Sequence, residues 1–212
     1  MTIDLNNKFS IRIRRVTIPW YSAVFFFFLL IGDRHGYTAV GLFFALLHEI
    51  GHIIAALICR VRIENVTLFP CGADMRLGSS MRSYLADAFI AGAGAAMNII
   101  LALGIHFTEA FVSSADAVRL LNYSVGCNIS LAVINLMPVR NLDGGNLISA
   151  LLLCRHDPAV TEKTLGFLSL ISLFVMWVAA VYILFVKDGS PSLFMLVCVM
   201  FASVFLRGNA LK

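Results

Sequence analysis

Residues 48–52 read His-Glu-Ile-Gly-His, and they sit inside an apolar run from Tyr37 to Cys59 that is otherwise without charge. On an α-helix, residues four apart project from one face, about 40° apart in azimuth and one turn above one another. His48 and His52 can therefore grip a single zinc ion. Glu49 follows the first histidine and points to a neighbouring side, where it can hold a water that the metal activates rather than the metal itself. This is the chemistry of an HExxH sequence: zinc lowers the pKa of water toward neutrality, and the glutamate takes its proton as the water attacks a carbonyl. Ionisable side chains at membrane depth are costly, so a chance occurrence or a merely structural histidine pair is the weaker reading.

The composition places the run in a membrane. Of the 212 residues, 60% are hydrophobic and only 13% charged, against roughly a quarter charged in soluble domains. Apolar stretches that cross a bilayer, or nearly do, run from Pro19 to Gly32, Tyr37 to Cys59, Tyr84 to Phe107, Leu120 to Met137, Leu165 to Val186 and Ser192 to Leu206. The expected fold is an all-α polytopic membrane protein of about six transmembrane helices. Three of these stretches are shorter than the roughly 20 residues a straight crossing needs.

Basic residues set the orientation. Lys8, Arg12, Arg14 and Arg15 precede the first stretch, and with the N-terminus in the cytoplasm Arg60, Arg62, Arg76, Arg82, Arg140, Arg155, Lys163, Arg207 and Lys212 fall on the same side. Arg34, Arg119 and Lys187 fall outside, an asymmetry that follows the positive-inside rule. Both termini are then cytoplasmic in a bacterial-type cell membrane, and the HEIGH sequence opens to that side. No small-residue cleavage site follows Leu30, so the basic arm suits a retained first span rather than a signal peptide.

Other classes find little support. The basic residues form no cluster with interleaved aromatics, which argues against nucleic acid. Cys59, Cys71, Cys127, Cys154 and Cys198 are odd in number and lack CxxC spacing, so neither a disulfide framework nor a thiolate zinc site is indicated. His35, His106 and His156 read as interfacial.

A catalytic zinc takes three protein ligands and leaves a position for water. The best source of the third is the segment Asn135-Leu136-Met137-Pro138-Val139-Arg140-Asn141-Leu142-Asp143-Gly144-Gly145. Pro138 breaks the preceding helix, and the two glycines permit a close backbone approach and a sharp change of direction. Asp143 then either caps a helix from Gly144 to Cys154 or turns toward the metal, and spacing alone leaves both open.

An HExxH in one span followed by NxxPxxxLDGG downstream resembles the site-2 protease family of intramembrane zinc metalloproteases, peptidase family M50. The resemblance covers the core from about Tyr37 to Gly145. It implies one zinc ion held by His48, His52 and Asp143, with Glu49 as general base and Asn135 and Pro138 positioning the substrate. Gly94-Ala95-Ala96-Met97-Asn98 resembles the family's GPxxN element, with alanine where proline is usual. Asn98 could face the site, or belong to the small-residue packing face of Ala88, Ala91, Gly92, Ala95 and Ala96.

The segment from Arg62 to Phe69 is β-leaning and is followed by the turn Pro70-Cys71-Gly72-Ala73. It is similar to the membrane-associated sheet segment of the family's sporulation stage IV branch, between the second and third spans, and could offer an edge to an extended peptide. The implied function is hydrolysis of a peptide bond in or near the membrane-embedded part of a membrane-anchored or membrane-associated protein. By the same resemblance this releases a cytoplasmic regulatory factor such as a pro-sigma factor, under restraint by an inhibitory membrane partner. Residues 1–212 read as a single domain without a PDZ insert or a CBS domain. The rival class is a non-proteolytic zinc-binding membrane protein or transporter using the same ligands.

Overall fold

A computed structural model describes residues 10–13, 16–31, 36–69, 72–78, 83–140 and 142–186, together with residues 194, 197, 198, 200 and 201. In chain order these form strands β1 (Ser10–Ile13) and β2 (Val16–Pro19), helices α1 (Trp20–Ile31) and α2 (Tyr37–Ile58), strands β3 (Ile63–Phe69) and β4 (Gly72–Leu77), and helices α3 (Tyr84–Glu109), α4 (Ala115–Asn135), α5 (Asp143–Leu153) and α6 (Pro158–Val186).

Among the described residues four helices are long and apolar enough to cross a bilayer: α2, α3, α4 and α6, the last over Pro158–Phe185. The protein is a multi-pass integral membrane protein of mostly helical fold. The first expected span forms a helix, but α1 has only 12 residues. At 1.5 Å per residue that is short of the roughly 30 Å hydrocarbon layer. Most of the sixth expected span, from Ser192 to Leu206, lies outside the described residues, although Phe194, Val197, Cys198, Met200 and Phe201 are helical. The fourth and fifth spans begin earlier than their apolar runs, at Ala115 and Pro158. Polar first turns are tolerated where a helix leaves the bilayer.

Local chemistry explains where the helices begin. Ser83 is the N-cap of α3 and its side chain accepts a hydrogen bond from the Ala86 amide at 3.2 Å, with Asp87 in the first turn. The hydroxyl satisfies an orphan donor, and the carboxylate suits the positive end of the helix dipole. In α2 the large residues Phe43, Leu46, Ile50, Ile54 and Leu57 are exposed, while His48, Gly51, His52 and Ala55 are buried. That stripe is the lipid face. The histidines therefore turn away from lipid, into the bundle.

The sheet has the order β1-β2-β3-β4. Strands β1 and β2 are antiparallel, β2 pairs parallel with β3 through Val16↔Val66 and Thr17↔Thr67, and β3 pairs antiparallel with β4 from Ile63↔Leu77 to Phe69↔Gly72. The strand expected from Arg62 to Phe69 is present as β3, but its expected role as an edge is not. It is flanked on both sides, and the open edges belong to β1 and β4. The physical reason is a non-local pairing with the N-terminal strands, which no local pattern reveals. In the turn after β3, Gly72 and Ala73 belong to β4, and Pro70 and Cys71 lie outside the described residues. Ile63 and Leu77 pack on a core of Ala55, Ala56, Val61 and Ile90, so the sheet roots against the α2 end that follows the histidines.

Between α4 and α5 the chain makes two tight turns. The Val139 amide donates to the Met137 carbonyl at 2.7 Å across Pro138, and the Leu142 amide to the Val139 carbonyl at 2.8 Å. Val139 and Leu142 are buried against Leu173 of α6. The Arg140 amide donates to the buried Ser169 hydroxyl of α6 at 3.1 Å, and its guanidinium to the Glu162 carbonyl at 2.8 Å. The loop is thus hung from α6. Its return path needs Gly144 and Gly145: a Cβ on Gly144 would overlap the Leu136 carbonyl, and one on Gly145 the Val139 carbonyl. Gly145→Ala should force the loop backbone to move at a cost of about 1–3 kcal/mol, read as a lower thermal unfolding midpoint in detergent; an unchanged midpoint would show that the turn has slack.

Candidate metal centre

His48 and His52 are presented by the buried face of α2, and Asp143 is the first residue of α5. Three of their atoms converge. Asp143 Oδ2 lies 2.9 Å from His48 Nε2 and 3.1 Å from His52 Nε2, and the two Nε2 atoms are 3.2 Å apart. Among the described residues these three form the one group of histidine, cysteine or carboxylate side chains able to hold a metal ion together. The two readings of Asp143 are thereby separated: Leu142 occupies the N-cap of α5 without a side-chain cap, and the aspartate reaches across to the histidines.

The protonation of the cluster follows from one contact. His52 Nδ1 lies 2.7 Å from the Ile90 carbonyl of α3, an oxygen that can only accept, so Nδ1 carries the proton. In the neutral ring Nε2 of His52 is then the lone pair, directed at the other two atoms. With a second imidazole nitrogen and a carboxylate oxygen within 3.2 Å, the three atoms form a set of electron-pair donors that can hold a cation at their centre. This also matches the way a zinc-bound histidine uses its other ring nitrogen.

The spacing and the free space suit zinc. A tetrahedral ion with bonds of about 2.0–2.1 Å sets its ligand atoms about 3.3 Å apart, close to the observed separations. Gly94 of α3 leaves the room. A Cβ built there would overlap His52 Nε2 and come within 2.6 Å of His48 Nε2 and 2.7 Å of His48 Cε1, at the place where the donors meet. Sequence reasoning misses this role, since Gly94 reads only as the opening residue of the element that ends at Asn98; that position is its one signal.

The remaining expected residues lie around this point. Glu49 is half-buried, one residue past His48 and about 100° round the helix. Asn98 is fully buried, one turn beyond Gly94 on α3. Asn135 closes α4 and Pro138 sits in the turn that follows; both are half-buried, and among the described residues no side-chain hydrogen bond joins Asn135 to the cluster. His106 lies near the far end of α3, 3.4 Å from Glu109, and His156 is exposed in the loop after α5. Neither belongs to the His48–His52–Asp143 cluster. His35 lies outside the described residues. Four described cysteines are free and stand apart from the cluster.

Residues 37–115 and 104–179 match the model of peptidase family M50. The chain belongs to peptidase family M50, the site-2 protease family. Over 149 residues, 68% of the chain, it is 33% identical to a Mycobacterium tuberculosis protein named "Putative zinc metalloprotease Rip3". Over 116 residues, 54% of the chain, it is 29% identical to the Synechocystis protein named "Putative zinc metalloprotease sll0528". The chain spans only about a third of the length of these relatives, 37% and 31% respectively. Its fold is similar to that of the site-2 protease from Methanocaldococcus jannaschii, with a TM-score of 0.66 over 93% of this chain and 94% of that one at 19% identity.

For this M50 member, Gly94 gives a direct test. Gly94→Ala places a methyl group among the donor atoms while raising helix propensity by roughly 1 kcal/mol. Zinc content measured by elemental analysis should fall from about one ion per chain to near zero, while the variant keeps the thermal midpoint of zinc-free wild type. Full occupancy in the variant would mean that the ion, or the helix, sits elsewhere.

Proposed function

We propose that this chain is an intramembrane zinc metalloendopeptidase in which His48, His52 and Asp143 hold one zinc ion and Glu49 is the general base. The observation that carries the reading is the convergence of two imidazole nitrogens and a carboxylate oxygen within 3.2 Å, beside a half-buried glutamate, inside a membrane bundle. Zinc, when bound, polarises the scissile carbonyl and brings the pKa of a water toward neutrality. Glu49 takes the proton of the attacking water and returns it to the nitrogen of the leaving amine as the C–N bond breaks. The Asn135 side-chain amide, at the end of α4, is the donor proposed for the developing oxyanion, with Pro138 fixing the loop beside it. Asn98 supports the site from α3.

A transmembrane substrate hides its amides in helical hydrogen bonds and must be extended before water can attack. The sheet offers the means. With β3 flanked on both sides, an unwound substrate segment would add along the free edge of β4 (Gly72–Leu77), supplying backbone hydrogen bonds in place of those it loses. The sheet roots beside the Ala55–Ile90 core, within the same end of the bundle as the cluster.

The substrate class proposed is a membrane-anchored or membrane-associated protein whose cleavage releases a cytoplasmic regulatory factor, of which a pro-sigma factor is the specific candidate. An inhibitory membrane partner would restrain the reaction. The orientation proposed has this end of the bundle in the cytoplasm of a bacterial cell. Pairing of β1 with β2 and of β2 with β3 supports it, since Arg12 in β1 then lies in the same sheet as Arg62–Arg76, on one side as the positive-inside rule requires.

Replacement of Glu49 by Gln should leave zinc content at about one ion per chain and lower the cleavage rate of single-span and pro-sigma substrates by at least about 10²-fold, measured with purified protein in detergent. Cleavage at the wild-type rate by the variant would remove Glu49 from the chemistry. Zinc binding without cleavage by either protein across the panel would favour a metal-binding membrane protein that performs no proteolysis.

A further inference from the structure

The two histidines differ in how their outer ring nitrogens are satisfied. His52 Nδ1 donates to the Ile90 carbonyl at 2.7 Å. His48 Nδ1 is buried and, among the described residues, has no hydrogen-bond partner. When Nε2 of His48 serves as a metal ligand, the ring proton resides on Nδ1, and this atom is then a buried donor in need of an acceptor. A metal-bound imidazole almost always donates that proton to a neighbouring group, which fixes its tautomer and angle.

Three further unpartnered atoms are buried nearby in the fold. Asn98 is fully buried on α3 with both Oδ1 and Nδ2 unpaired, and Asn128 is fully buried on α4 with Oδ1 unpaired. Asn128 Nδ2 donates at 2.9 Å to the Ser124 carbonyl of its own helix, so only its acceptor oxygen is left over. The four unpartnered atoms comprise two donors, His48 Nδ1 and Asn98 Nδ2, and two acceptors, Asn98 Oδ1 and Asn128 Oδ1. Leaving them all unpaired in an apolar bundle would cost several kcal/mol in all.

Geometry brings the first pair to one place. The Cε1–Nε2 edge of His48 faces Gly94, which puts the adjacent Nδ1 on the α3 side of the ring. Asn98 stands four residues on, about 6 Å along the helix on the same face, and helical side chains lean back toward the N-terminus, here toward Gly94. Neither His48 Nδ1 nor the Asn98 side chain makes a direct hydrogen bond among the described residues, and one water between two such polar groups would satisfy both. On its other side Asn98 belongs to the buried face of α3, and α4 packs against α3 with Ser124, Asn128 and Ala132 buried.

We propose that Asn98 is a positioning residue for His48: through one buried water its Oδ1 accepts the Nδ1 proton of the histidine, while its amide hydrogens are taken up by Asn128 Oδ1 across the α3–α4 contact. The inference rests on the metal-site reading and deepens it. It gives Asn98 a role toward the histidine in addition to the α3–α4 contact, since the side chain is fully buried with both polar atoms unpaired among the described residues. It also gives Asn128 a function that its sequence surroundings do not suggest.

The test compares zinc affinity by chelator competition in wild type, Asn98→Leu and Asn128→Leu, together with the thermal midpoint of each zinc-free protein. Asn98→Leu, close in size and wholly apolar, should weaken zinc binding by about 10–100-fold while the midpoint of the zinc-free form stays level or rises. Asn128→Leu, acting one step further out, should weaken binding several-fold. Wild-type affinity in Asn98→Leu, or a lowered zinc-free midpoint with unchanged affinity, would reduce Asn98 to a packing residue. If Asn98→Leu does not assemble, unchanged affinity in Asn128→Leu overturns the relay. Absence of zinc from the wild type would instead remove the metal reading itself, a failure seen before any variant is compared.

Discussion

Two imidazole nitrogens and a carboxylate oxygen meet within 3.2 Å, and in a bilayer such a cluster needs a cation or shared protons to offset the repulsion of its lone pairs. The meeting of His48, His52 and Asp143 is therefore the constraint on which the rest of the fold depends. It requires a helix that carries both histidines away from lipid, a second helix start that returns Asp143 to them, and a neighbour with no side chain at the point of contact. The buried face of α2, the start of α5 and Gly94 of α3 meet these three demands.

Helix α3 contributes more than space. Its Ile90 carbonyl fixes the tautomer of His52, and Asn98 lies one turn past Gly94 at the level proposed to serve His48. Helix α6 acts at a greater distance. By holding the Arg140 amide through Ser169 and burying Val139 and Leu142 against Leu173, it sets the course of the loop that delivers Asp143. The glycines that follow let α5 start directly beneath that loop. The position of one carboxylate oxygen is thus determined by contacts spread over four helices.

Much of this is legible in residue types and spacing. His48, Glu49 and His52 announce themselves because two imidazoles and a carboxylate are costly in an apolar run unless they do chemistry there. The broken helix at Pro138 and the glycines after Asp143 likewise mark a chain reversal, and β3 is visible in its β-branched residues. Long-range pairings are not legible. The N-terminal arginines read as part of a charge asymmetry across the membrane rather than as a strand, and without a pairing partner from that segment β3 reads as an edge. Whether Asp143 caps α5 or reaches the histidines is undecidable from spacing, because both outcomes need the same residue at the same helix start. Gly94 and Ser169 matter only through partners far away in sequence, which no local pattern encodes.

The most direct test of the metal centre is zinc K-edge X-ray absorption on the purified protein in detergent. The account predicts about one zinc per chain with a first shell of nitrogen and oxygen at about 2.0–2.1 Å, two of the ligands showing imidazole multiple scattering and none being sulfur. A first shell containing sulfur at about 2.3 Å, or a protein that purifies without zinc and fails to take it up, would contradict it.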